Sequence, residues 1–179
     1  MPNFFLWYSR YMDMIRTLDK AAIHWSTPLE IWSIISKYLP KAENDVVCEP
    51  FYNPDTKSAE HLRSLGCKVV SGNLNFFDVQ VPLGTHIVTN PPWDCKEKVI
   101  EHLAKLDLPF IITFPVHSVC TRFIKNHFKN KLQLIIPDTR LHFEKKDKET
   151  GKMFTLKRTP FDSCFVCYKM NLPSDLVWL

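Results

Sequence analysis

Glycine is scarce in this chain, at 4 of 179 residues. Tight turns and close backbone approaches to a ligand must therefore be made largely by other residues, because glycine alone enters the left-handed region without steric cost. No apolar run is long enough to cross a bilayer, so no membrane partner is expected. The opening stretch MPNFFLWYSRYMDMIR is aromatic but interrupted by Arg10, Asp13 and Arg16. It has no continuous apolar core followed by a small-residue cleavage site, and it does not read as a secretion signal. No internal repeat or linker divides the sequence, and a second CxxC is missing. The CFVC at 164–167 has metal-ligand spacing but lies in an apolar run that reads as a strand. Residues three apart on a strand point to opposite faces, so no metal site is expected. The six cysteines read as free thiols of a reducing, intracellular compartment, cytoplasm or nucleus.

What is present suits one globular domain over residues 1–179, with 45% hydrophobic residues and enough length to bury a core. Residues 1–22 read as a helical extension, with Phe4, Tyr8, Tyr11, Met12 and Ile15 at helical spacing. In HWSTPLEIWSIISKYL, Ser26 or Thr27 is placed to cap a helix that ends near Pro40. Short runs apolar on both faces follow: DVVCEP, CKVVSG, THIVTN, PFIITFPV, LQLIIP and SCFVCYKM. Between them lie the helical patterns TKSAEHLRSLG, CKEKVIEHLAKLD and VCTRFIKNHF. The alternation predicts an α/β, Rossmann-like fold: a mostly parallel sheet covered by helices on both faces. The last strand, at 163–170, is expected to run antiparallel at the sheet edge.

Charge is uneven. Residues 122–158 carry eleven Lys or Arg against four Asp or Glu, a net of +7, whereas the whole chain is +4 and the remainder therefore −3. A basic segment on a slightly acidic domain fits a polyanionic partner such as DNA or RNA, or else a solvated loop.

In open α/β sheets, ligands bind outside the carboxyl ends of the strands. CEPFYNPD follows the first apolar strand, and NPPW follows the strand at 85–89. An acid and PF closing the first apolar strand, with NPPW closing the strand at 85–89, resemble the class I S-adenosylmethionine-dependent methyltransferases of exocyclic amines. The short adenine methyltransferases of phage and protist type are most similar, and the resemblance runs from about His24 to Lys169. It implies S-adenosylmethionine as cofactor and the 6-amino group of adenine in DNA or RNA as methyl acceptor. Asn90, Pro91, Pro92 and Trp93 would then be catalytic. The Asn90 side-chain oxygen and the Pro91 carbonyl would accept from the two amine hydrogens and draw the nitrogen toward tetrahedral. The prolines would hold that backbone rigid, and Trp93 would offer a flat face in an open cleft to the extruded base.

By the same resemblance the cofactor would be held by Trp25, Thr27, Glu49, Pro50, Phe51, Asn53, Asp55, Asn73, Asn75, Phe76 and Asn90. Substrate would meet Trp93, Arg140, His142, Phe143, Lys145 and Lys146. The stretch PFYNPDTKS departs from the family by containing no glycine. SGNLNFFD offers Ser71, Asn73 and Asn75 where an acid is usual for the ribose hydroxyls. Two other functions stay open on these residues. One is a catalytically degenerate subunit that binds nucleic acid, a protein partner or a second copy of itself. The other is methyl transfer to a protein glutamine.

Overall fold

The chain is described here from a computed structural model, which covers residues 25–51, 57–71, 76–77, 81–82, 84–147, 149–156 and 161–179. The helical extension expected at 1–22 lies outside the described residues, as do Asn53, Asp55, Asn73 and Asn75.

Runs of Val, Ile and Phe without polar alternation form buried strands. Seven strands, buried at the centre and partly exposed toward the edges, make one sheet: β2 (Val46–Glu49), β3 (Val69–Ser71), β4 (Thr85–Thr89), β5 (Phe110–Pro115), β6 (Leu132–Ile136), β9 (Ser163–Tyr168) and β10 (Leu176–Trp178). Their spatial order is β10-β6-β9-β5-β4-β2-β3. Only β9 is antiparallel to its neighbours, β5 and β6. The antiparallel strand predicted at the sheet edge is therefore interior, and it is not the last strand, because β10 adds itself parallel to β6. The cause is visible in its residues: all six of SCFVCY are buried, which only an interior strand achieves.

Strand periodicity sends alternate side chains to two separate cores. On one face, Val47, Val88, Ile111, Phe165 and Cys167 pack with Ile31, Trp32 and Leu62 from α1 (Leu29–Ile34) and α2 (Ser58–Ser64). On the other, Cys48, Ile87, Phe110, Ile112, Cys164 and Val166 pack with Val99, Ile100 and Leu103 of α3 (Lys96–Leu106). Ile124 and Phe128 of α5 (Arg122–Phe128) join them, after the single turn α4 (Val116–Val119). Helices thus cover both faces, as the alternation predicts. Cys164 and Cys167 fall in different cores, so they do not share a ligand, and no metal-holding group occurs among the described residues. No helix among them is long and apolar enough to cross a membrane.

A second, three-stranded sheet has the order β1-β7-β8, formed by β1 (Trp25–Ser26), β7 (Glu144–Lys146) and β8 (Met153–Thr155). It accounts for two expectations that do not hold. Ser26 belongs to β1, and α1 is capped by Pro28 with no side-chain hydrogen bond, leaving the buried Thr27 hydroxyl without a partner among the described residues. About a third of the basic segment, from Glu144 to Thr155, is a hairpin rather than a loop.

The shortage of glycine has a structural counterpart. Lys57, Asp107, Asn130, Lys169 and Asn171 all adopt φ between 50° and 58°. Each such residue costs about 1–2 kcal/mol relative to glycine. Where no side chain fits, glycine is kept: a Cβ on Gly84, just before β4, would lie 2.6 Å from the Asn44 carbonyl oxygen.

Candidate active site

In the large sheet, β2 lies beside β3 on one side and β4 on the other, all three parallel. The chain leaves β2 in one direction and returns on its opposite flank, which makes a switch point, and in such sheets the crevice for ligands lies outside the carboxyl ends of the strands at that point, here β2 and β4. Glu49 is the last residue of β2. Asn90 immediately follows Thr89, the last residue of β4. The two motifs singled out in the sequence therefore meet at one crevice.

Glu49 is only 2% exposed. Its Oε2 accepts from Ser58 Oγ at 2.8 Å and its Oε1 from the Phe51 amide at 3.2 Å and the Thr89 hydroxyl. Ser58 is held in turn by Trp32 Nε1, which donates to its Oγ at 3.1 Å. Burial pushes the Glu49 carboxyl up to about 7, and the donors from Thr89, Ser58 and Phe51 offset only part of that. Desolvation disfavours the charged form, so Glu49 is poised to change protonation near neutral pH when a cation arrives beside it.

Asn90 is half-buried, and its Oδ1 accepts from the hydroxyl of Thr113 in β5. Pro92 holds φ at −64° and ψ at 124°, and a single 3-10 turn at Trp93–Cys95 then leads into α3. The prolines do what their chemistry dictates: they end β4 and fix the chain direction before the helix.

Trp93 does not line an open cleft, contrary to the sequence expectation. It is 2% exposed and packs in an aromatic cluster. Its ring centroid lies 5.4 Å from Trp25, 5.5 Å from Phe143 and 4.9 Å from Phe161. Its Nε1 is buried without a partner among the described residues. Phe143, expected to meet substrate, is fully buried and stacks on Trp25 at 5.8 Å. Four large apolar rings from distant parts of the chain exclude water by covering one another, a relationship that a four-residue motif cannot reveal.

Phe76 is likewise covered, against Phe51 at 4.9 Å and His102 at 4.8 Å, whereas its neighbour Phe77 keeps 40% of its surface exposed. Among the remaining candidates, Pro50 and Pro91 are buried and Phe51 half-buried beside the crevice. Thr27 reaches α2 by its carbonyl, 3.2 Å from His61 Nδ1. Arg140 pairs with Asp162 at 2.6 Å, and His142 lies 3.3 Å from the Leu156 carbonyl. Lys145 and Lys146 stand on β7. Four residues that shape the site carried no motif: Thr89 and Thr113, which orient Glu49 and Asn90, and the pair Trp32 and Ser58. For the two threonines the available signal was a lone hydroxyl in an otherwise apolar strand, since a buried hydroxyl needs a partner.

No family model matches the chain, and no curated protein matches it in sequence. Among solved structures it is similar to a precorrin-6y C5,15-methyltransferase from Geobacter metallireducens. The identity is 10%, covering 78% of this chain and 87% of that one, with a TM-score of 0.43. It is also similar to the tRNA (m1A58) methyltransferase TrmI from Aquifex aeolicus, at 14% identity over 79% of this chain and 68% of that one, with a TM-score of 0.36. Both are methyltransferases by name.

Proposed function

We propose that the crevice at the carboxyl ends of β2 and β4 binds S-adenosylmethionine and carries methyl transfer to the 6-amino group of adenine in nucleic acid. The observation that supports this best is the meeting of two polar side chains at the switch point. One is the buried carboxylate of Glu49; the other is the amide of Asn90, held by Thr113 on a chain fixed by prolines.

The residues present fit the cofactor. A carboxyl held up to about 7 by burial gains from an adjacent cation, and the cofactor carries an ammonium and a sulfonium. The cluster of Phe51, Phe76 and Phe77 beside the crevice, with Phe77 exposed, suits an adenine ring. When bound, S-adenosylmethionine supplies an electrophilic methyl group. The chain's own residues supply position. Thr113 uses one lone pair of Asn90 Oδ1, and a carbonyl oxygen has a second for the incoming amine. The Pro91 carbonyl is the other acceptor. Asn90 is not a base, so the amine proton leaves to water. Near-attack positioning of this kind accounts for much of the rate in such transfers.

One observation favours a second reading. With Trp93 buried among Trp25, Phe143 and Phe161, no ring of NPPW faces an incoming base. A methyltransferase-like subunit that binds nucleic acid or a catalytic partner without turnover would have this arrangement. Incubation with methyl-labelled S-adenosylmethionine and adenine-containing oligonucleotides, followed by nucleoside analysis, decides between them. The proposal expects N6-methyladenine. Label on glutamine of added peptides would redirect the site to proteins, and binding without any product would leave the subunit reading.

A further inference from the structure

The β7–β8 hairpin has no role in the crevice. Register fixes its faces: Trp25 lies opposite Lys145, and Lys145 lies opposite Phe154. Directly paired residues share a face, so these three form one row across the small sheet. Phe154 stands on the edge strand with 44% of its surface exposed. The pairing continues one step further, through Asp147 N to the Lys152 carbonyl at 2.8 Å. Lys152 lies two residues before Phe154, which by strand periodicity puts it on the same face. The acid paired across from Lys152 is turned into the backbone: Asp147 Oδ1 accepts from the Glu149 amide at 3.1 Å and from the Thr150 amide and hydroxyl. The row ends inward on Trp25, which meets Trp93, three residues past Asn90, edge-on at 5.4 Å. Two strand spacings separate Phe154 from Trp25, about 10 Å.

We propose that this hairpin is a platform for single-stranded nucleic acid, with Phe154 stacking a base and Lys145 and Lys152 contacting phosphates. An exposed ring between two cations matches a polyanion whose bases are uncovered. A duplex keeps its base faces stacked and offers nothing to Phe154. The proposal rests on the methyl-transfer reading of the crevice for the strand's destination, since the row ends on Trp25, which packs on Trp93 of the same NPPW segment as Asn90.

The test is fluorescence anisotropy with a labelled adenine-containing single strand, over a salt series, with matching duplex and anionic phospholipid vesicles as separate probes. Phe154→Ala is expected to weaken single-strand binding about tenfold, leaving the melting temperature unchanged because the ring is exposed. Lys145→Gln with Lys152→Gln is expected to lower the salt slope by about 0.7 for each lost phosphate contact. Single-strand binding within about twofold of wild type in Phe154→Ala overturns the proposal, as does wild-type chain that binds vesicles and no oligonucleotide. Calorimetry with S-adenosylmethionine is run on each variant. Loss of cofactor binding in the wild type removes the methyl-transfer reading and leaves the oligonucleotide result to decide the hairpin alone.

Discussion

Thr113 donates its hydroxyl hydrogen to Asn90 Oδ1 across the gap between β5 and the end of β4. Thr113 is fully buried, so this bond both orients the amide and satisfies a hydroxyl that water does not reach. Thr113→Val is expected to lower methyl transfer about tenfold to a hundredfold by loosening Asn90, with cofactor affinity little changed. Asn90→Ala is expected to cost about 1–3 kcal/mol of stability as well, because it leaves the Thr113 hydroxyl unpaired. The double variant should regain part of that stability. Melting curves and initial rates for the three proteins check this. Additive stability losses would show that the two side chains do not act as a pair.

Glu49 gives the protein a pH dependence with a definite sign. Its carboxyl is raised from 4.5 to about 7 in the folded chain. The unfolded state therefore releases this proton first as pH rises. The associated stability is complete below about 4.5 and is lost as pH climbs through about 7, an effect on the order of 3 kcal/mol. Glu49→Gln should flatten the melting temperature between about pH 5 and pH 8, whereas wild type falls over that window. Parallel curves for both proteins would place the titrating group elsewhere.

Trp93 is expected to matter to the fold before it matters to any substrate. Trp93→Ala opens a cavity among Trp25, Phe143 and Phe161, and losses of about 3–5 kcal/mol are usual for such truncations. Trp93→Phe keeps most of the packing and deletes an Nε1 that has no partner among the described residues. It should remain folded, with a melting temperature within a few degrees of wild type. If Trp93→Ala melts like wild type, the aromatic cluster is not a structural core.

Six strands of the large sheet were legible because each is a short, mostly apolar run closed by turn residues; Leu176–Trp178, only three residues long and half exposed, was not. Glu49 and Asn90 were legible because a polar residue at the carboxyl end of such a strand has few structural reasons to be there. The small sheet was not. Glu144–Lys146 and Met153–Thr155 are three residues each and expose charge, so no alternation marks them as strands. Strand order was lost for a similar reason: SCFVCY shows that a strand is buried on both faces, but not which neighbours bury it. Phe76 and Phe143 were placed at the site by position in sequence alone, and only the packing shows that each is covered by other rings.

The most direct measurement is a calorimetric titration of S-adenosylmethionine into the wild-type chain, repeated at about pH 6 and pH 8 and with Glu49→Gln. A cationic ligand beside a carboxyl that titrates near 7 binds more tightly once that carboxyl is ionised. Saturable binding to one site is expected, tighter at the higher pH, and weakened with loss of that pH dependence in Glu49→Gln. No binding by the wild-type chain at about millimolar cofactor, or affinity that ignores both pH and Glu49, would contradict it.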